Sequence, residues 1–303
     1  MRDKFLMANP FQPIVVLTVY LYFVFKWGPK FMANRQPMKL HQIIKFYNLL
    51  QVAICLCITI KGYYHTFGQG YSFFCEPVDY SLEYHPVEIT KVAYYYLMTK
   101  VIDLLDTVFF VLKKKQSHVS FLHVYHHAGM VALSWVGVKY FPGGQSVFMG
   151  IINSLVHVIM YFYYYLTSVD NKYKQSAWKK YITQLQMVIE GTISGCQCWS
   201  FPLQIQFGLM ALHWLALRLS PECGFPKFVT FFMLPQNFFI FVLFYDFYRT
   251  TYMKKPSAVS EVTESGGKID LNNNVDLNDK SKSIEHSKIA KAGIVNYEKS
   301  LSD

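Results

Sequence analysis

The chain has 303 residues, of which 52% are hydrophobic, 18% aromatic and only 16% charged, with a net charge of +10. Ordinary soluble domains carry about 25% charged residues, and here the apolar residues come in long blocks, which argues against a soluble globular fold. The basic residues stand in short clusters between those blocks rather than along one stripe, so the positive charge does not point to nucleic acid.

The apolar blocks run over residues 11–27, 46–60, 92–112, 119–140, 147–166, 182–219 and 228–248. Each approaches the roughly 20 helical residues that cross a bilayer. The expected fold is therefore all-α, a polytopic membrane protein with a bundle of about seven transmembrane helices in residues 1–255. The first block is long and is followed by lysines rather than by a small-residue cleavage site, so it reads as a membrane helix and not as a cleavable signal. Lys26, Lys30, Arg35 and Lys39 follow it, and further basic clusters follow the third, fifth and seventh blocks. The connection over 63–90 is instead acidic, with Glu76, Asp79, Glu83 and Glu88. That alternation places the carboxyl terminus in the cytosol and the amino terminus across the membrane. Cys75 and Cys223 fall in loops on the non-cytosolic side, where they either pair in an oxidising lumen or remain two free thiols.

Ionisable groups inside membrane helices are informative, because each costs about 2.5–3.5 kcal/mol at the helix centre. The third block reads TKVIDLLDTVFFVL and puts Lys100, Asp103 and Asp106 on one helix face. An ion pair between Lys100 and Asp103 accounts for two of these charges and leaves Asp106 for another task. Lys113, Lys114 and Lys115 follow, either as a topology signal or as a phosphate-binding group. The fourth block opens with HVYHH, so His123, His126 and His127 share a face. Ten histidines in 303 residues make that pattern an accident of about one in a hundred. The fifth, NSLVHVIMYFYYY, places Asn153 and His157 one turn apart and Tyr161 a turn further, and the sixth begins YITQLQ, with Thr183 and Gln186 spaced by three. At about 1.5 Å per residue, Asp106 and His126 lie roughly 10 Å deep, Gln186 about 9 Å and His157 about 15 Å. Four helices thus deliver polar groups to one layer, which reads as a site.

Two chemistries suit that layer. A membrane di-iron oxygenase or desaturase would use histidine boxes, but it needs about eight histidines, and only His123, His126, His127 and His157 stand at this depth. A single zinc on HVYHH and Asp106 remains geometrically open. The other chemistry is acyl transfer. A neutral imidazole attacks a thioester and passes the acyl group onward, a carboxylate such as Asp106 fixes its tautomer, and a dry helical cavity protects the intermediate from water. A non-enzymatic seven-helix transporter would explain the helices but gives no reason for three histidines beside an aspartate.

KVIDLLDT, HVYHH, NSLVHVIMYFYYY and TQLQ, in this order on successive helices, resemble the signature of the very-long-chain fatty acid elongases, the 3-ketoacyl-CoA synthases of the endoplasmic reticulum. The resemblance runs from about residue 9 to 255 and includes GPKFMANRQP and YNLLQV. It implies a bundle enclosing an acyl tunnel, which condenses long-chain acyl-CoA with malonyl-CoA, releasing carbon dioxide, as the first step of elongation. No bound cofactor or metal is implied. The implied partners are the two substrates, membrane lipid, and the reductases and dehydratase of the elongation cycle. His126 corresponds to the acyl acceptor and His157 to a residue that assists condensation. His123 and His127 would complete the pocket or pack behind it. Lys100, Asp103, Asn153, Tyr161, Thr183, Gln186 and Gln206 would support it, and Lys113, Lys114 and Lys115 would meet the coenzyme A phosphates.

Two departures from that pattern are expected to matter. The family often has glutamate where Asp103 stands. Its sixth-helix motif also carries a further glutamine three residues on, where this chain has Ile189. Removing 188–204 leaves TQLQMIQF and restores the motif with Gln206, so those residues read as an insertion in the sixth helix, which the enzyme either tolerates or is impaired by. The start is short beside the family, which leaves its completeness open. Residues 256–303 are rich in Ser, Asn, Lys and Asp and read as a disordered cytosolic tail.

Overall fold

The computed structural model describes residues 4–170 and 205–250. Thr183, Gln186, the insertion at 188–204 and the tail at 256–303 lie outside the described residues. Seven helices and no strand occur among the described residues: α1 Phe11–Met32, α2 His41–His65, α3 Tyr84–Leu112, α4 Phe121–Tyr140, α5 Val147–Val169, α6 Ile205–Leu219 and α7 Thr230–Tyr248. The fold is the all-helical, multi-pass membrane architecture expected. A π-helical turn at Phe23–Trp27 interrupts α1.

Local chemistry sets several boundaries. Ser120 is extended, and its side chain accepts from the His123 backbone N–H at 3.2 Å, which caps α4 just before the histidines. Helix α3 starts well before the apolar block, at Tyr84, because its first turns carry polar residues that hydropathy does not register as membrane. Four helical spans are long and apolar enough to cross a bilayer, those of α1, α2, α5 and α7. The charges of α3 and the three histidines of α4 dilute the apolar character of the helices that carry the site, and 15 residues of α6 are described.

Six helices close into a ring. Helix α2 packs on both α3 and α5, α3 on α4, α4 on α7, α7 on α6, and α6 back on α5. Helix α1 stands outside, where Tyr20 and Val24 pack with Leu104, Val124 and Val131 of α3 and α4. Glycines permit two close approaches. A Cβ at Gly28 would lie 2.7 Å from the Val111 side chain, and one at Gly62 would lie 2.8 Å from Ile151 on α5. Phe11, Val19, Phe231 and Phe238 are exposed on the outer faces, as a hydrocarbon surround requires.

The two ends of the ring differ. One carries the loop after α3, where Lys114 Nζ donates to the Ala33 carbonyl at 3.1 Å. At the other, Cys75 and Cys223 are joined in a disulfide spanning 148 residues of sequence. Beneath it Trp214, Leu217, Phe225 and Val229 form a buried cluster against Phe141 and Val78. Gln145 ties the same loops together, accepting from Glu76 N–H at 3.0 Å and donating to the Phe73 carbonyl at 3.2 Å. Replacing both cysteines by serine is expected to cost about 2–4 kcal/mol. A fall in Tm in detergent, matched by the unaltered protein under reductant, would show it.

Candidate active site

The polar layer is anchored on α3. Lys100 and Asp103 are each only 2% exposed, and Lys100 Nζ lies 2.9 Å from Asp103 Oδ2. Two charges removed from water at this depth need every lone pair and proton engaged. Asp103 Oδ1 accepts from Tyr161 Oη at 3.0 Å and from Gln51 Nε2, while Lys100 also stands 5.0 Å from the centre of the Tyr96 ring. Tyr161 is fully buried, and its hydroxyl lies 2.7 Å from Asp106 Oδ2 as well, so one proton is shared between two carboxylates. Tyr47 accepts from Gln51 at 3.2 Å and packs edge-on against Tyr161.

Tyr47 and Gln51 are additions to the residues expected from sequence. The signal for them was present in YNLLQV, where they sit at i and i+4 of an apolar helix. Tyr161→Phe removes the shared proton and leaves both carboxylates short of a donor. A loss of about 1.5–3 kcal/mol is expected, read as a lower Tm in detergent than that of the unaltered protein.

His157 lies against the same ion pair. Its Nε2 is 3.4 Å from Lys100 Nζ and its Nδ1 3.6 Å from Asp103 Oδ2. An ammonium only donates, so Nε2 accepts and the ring proton sits on Nδ1, facing the carboxylate. That Nδ1 makes no full hydrogen bond. His123 is held elsewhere: its Nε2 is 3.0 Å from Thr107 Oγ1, which lies 2.7 Å from the Tyr20 hydroxyl. His127 packs between its neighbours, its ring tilted against His123 at 4.2 Å between centres and edge-on to His126 at 5.6 Å.

His126 faces open space. It lines a cavity of about 50 Å³ together with Asn153, Gln206, Gln236 and Asn237, among apolar residues of α4 to α7, and its ring meets Phe244 edge-on at 5.8 Å. Asn153 Oδ1 accepts from the Tyr96 hydroxyl at 2.9 Å, which leaves the amide NH₂ for the cavity. A second cavity of about 60 Å³ lies further from the lysine end, and Leu133 and Met149 line both. Gln206, placed in the site only by excising 188–204 from the sequence, is buried in the His126 cavity wall.

One expected partnership is corrected. Asp106 was paired with His126 by equal depth, but its carboxylate is taken by Tyr161 of α5, and among the described residues no hydrogen bond joins it to His126. Depth along a helix does not encode which side of the helix a group faces. Among the described residues no three His, Cys, Asp or Glu side chains stand close enough to share a metal ion.

The arrangement provides a half-buried imidazole on the wall of an internal cavity, on the helix next to a second imidazole fixed by a buried ion pair. Comparison with known proteins gives it a context. The family model described as ELO: GNS1/SUR4 family matches residues 5–260. Very long chain fatty acid elongase 4 of Homo sapiens is 37% identical over 95% of this chain and 85% of its own length. Very long chain fatty acid elongase 7 of Drosophila melanogaster is 34% identical over 84% of this chain and 72% of its own length. Very long chain fatty acid elongase 2 of Mus musculus is 35% identical over 84% of this chain and 80% of its own length.

Proposed function

The chain belongs to the ELO, GNS1/SUR4 family of fatty acid elongation proteins, and on that premise we propose that it is a 3-oxoacyl-CoA synthase, condensing long-chain acyl-CoA with malonyl-CoA through an acyl-histidine at His126. The observation that carries the reading is the position of His126 on the wall of a cavity inside the bundle, next to a second, apolar cavity. An acyl thioester whose chain enters the bundle would bring its carbonyl to this imidazole.

In the first half-reaction a ring nitrogen of His126 attacks the thioester carbonyl. The C–S bond breaks, and the coenzyme A sulfur leaves with the proton lost from the ring. In the second, malonyl-CoA loses its carboxylate as carbon dioxide, and the electron pair remains on the α-carbon as an enolate. That carbon attacks the acyl-imidazole; the C–C bond forms, the C–N bond breaks, and a proton from water restores the ring. The product is a 3-oxoacyl-CoA two carbons longer. His157 is the group suited to stabilise the enolate oxygen, through the Nδ1–H that makes no full hydrogen bond to Asp103. Asn153 and Gln206 offer amide donors to the acyl carbonyl. All the chemistry is carried by side chains and substrates, with no bound cofactor.

Lys113, Lys114 and Lys115 sit at the end of the ring nearest His126, where the coenzyme A phosphates would arrive. The disulfide at the opposite end supports an oxidising lumen there, with the lysine end and the carboxyl terminus in the cytosol and the protein in the endoplasmic reticulum. A 3-oxoacyl-CoA must next be reduced, dehydrated and reduced again, so reductases and a dehydratase are its expected partners. The test is carbon dioxide release from carboxyl-labelled malonyl-CoA by microsomes containing this chain. Release that depends on added palmitoyl-CoA and yields 3-oxoacyl product supports the reading; release that ignores palmitoyl-CoA, or none, refutes it.

A further inference from the structure

Proton balance separates the two half-reactions. Acylation of His126 takes up no proton, because the one lost from the ring leaves on the coenzyme A sulfur. Condensation takes up one. The malonyl carboxylate departs as carbon dioxide, and the His126 nitrogen freed from the acyl group needs a proton that neither substrate carries. That nitrogen is inside the bundle, so the proton needs a route from water.

A chain of polar groups runs inward from Asp106, a carboxylate that neither half-reaction has used. Asp106 is half-buried and stands about 9 Å before the end of α3 at Leu112, with Asp103 about 14 Å in. Its Oδ2 lies 2.7 Å from Tyr161 Oη, which lies 3.0 Å from Asp103 Oδ1. Asp103 Oδ2 is 2.9 Å from Lys100 Nζ and 3.6 Å from His157 Nδ1, and Lys100 Nζ is 3.4 Å from His157 Nε2. Only the two contacts to His157 exceed ordinary hydrogen-bond length.

The two ends of this chain suit proton traffic. Among the described residues no cation forms an ion pair with Asp106, whereas Asp103 has Lys100. Asp106 can therefore gain and lose a proton without breaking a pair. At the other end His157 is 6% exposed and its Nδ1 has no full hydrogen bond, so the proton there is not committed to Asp103.

We infer that Asp106 is the proton entry for the condensation step, with Tyr161 and Asp103 passing the proton on to His157. The inference rests on the reading of acyl transfer at His126 with His157 beside the enolate. As the C–N bond breaks, the Nδ1 proton of His157 leaves for the freed His126 nitrogen, and a Lys100 ammonium proton moves to Nε2, so the ring stays neutral. Asp106 then gives its carboxyl proton to the Tyr161 oxygen while the Tyr161 hydroxyl proton passes to Asp103. The Asp103 carboxyl turns it toward Nδ1, and Nε2 returns its proton to Lys100. Water reprotonates Asp106, and every group is back in its starting state with one proton delivered.

The experiment follows the two half-reactions apart in microsomes. Palmitoyl-CoA alone loads the peptide containing HVYHH, read by mass, and malonyl-CoA then clears it. The groups facing Asp106 are Asp103 and Lys100 on its own helix, Tyr161 on α5, Tyr47 on α2 and Tyr20 on α1. Those facing His157 are Lys100, Asp103, His126 and His127. The acid form of Asp106 is the donor, so clearance by the unaltered chain is expected to slow as pH rises. Asp106→Asn keeps an acceptor for Tyr161 but carries no acidic proton. It is expected to load palmitoyl normally, to clear it at least about tenfold more slowly, and to lose the pH dependence. Asp106→Glu should restore both, and Tyr161→Phe, which cuts the chain in the middle, should slow clearance alike. A purely structural Asp106 would instead depress loading and clearance together.

Clearance by Asp106→Asn at the unaltered rate and pH profile overturns the inference. If Asp106→Asn takes up no palmitoyl group, Tyr161→Phe decides, and unaltered clearance in that variant overturns it. If neither variant loads, the unaltered chain decides, and clearance insensitive to pH overturns it. Condensation by the unaltered chain with no palmitoyl group on that peptide removes the acyl-His126 reading, and this inference with it.

Discussion

His126→Ala is expected to lower acyl-dependent condensation by at least about a thousandfold, since removing a covalent nucleophile abolishes the route rather than weakening one contact. The fold should survive. His126 is half-buried and faces a cavity, so truncation enlarges space that already exists. A Tm in detergent close to that of the unaltered protein, together with lost product, would separate chemistry from stability. His127→Ala is the informative comparison, because its ring packs between two histidines and its loss removes packing on both sides. Its stability should fall while some turnover persists. A His126→Ala protein that still condenses near the normal rate would show that the acyl group is carried elsewhere, or never carried at all.

Asp103→Leu is expected to have the largest effect on stability, about 3–5 kcal/mol, which is the penalty of leaving a buried charge without its partner. One substitution strands Lys100, removes an acceptor of Tyr161 and Gln51, and takes away the carboxylate faced by His157. Such a protein should express poorly in membranes and melt early. Lys100→Met combined with Asp103→Leu should recover much of that loss, since neither charge then remains buried. Condensation should stay impaired in the double variant, because His157 has lost both groups that hold it. Equal activity of the double variant and the unaltered chain would reduce the ion pair to a structural device with no part in the reaction.

The polar layer was legible in the sequence for a physical reason: ionisable residues in apolar helices are costly, so those present have partners. Lys100 with Asp103 was read correctly from spacing alone, because two charges one turn apart on one helix have little choice. Partners across helices were harder to read. Asp106 was given to His126 on depth, whereas Tyr161 of α5 holds it. Tyr47 and Gln51 passed unnoticed in α2, a helix apolar enough to look like plain membrane. Ring order was equally hidden. Neighbours in the ring such as α2 with α5, or α4 with α7, are not neighbours in sequence, and an apolar pattern does not say which helix meets which. The cavities themselves were invisible for the same reason. Gly129 and Gly137 are unremarkable in a membrane helix until their empty sides are seen to coincide with the cavities.

The measurement that tests the account most directly is the mass of the peptide containing HVYHH after the protein is incubated with palmitoyl-CoA in the absence of malonyl-CoA. The account predicts a palmitoyl increment on His126, cleared on adding malonyl-CoA with release of 3-oxoacyl product, and absent from His126→Ala. Condensation that proceeds with no acyl group on that peptide, or with the increment on another residue, would contradict it.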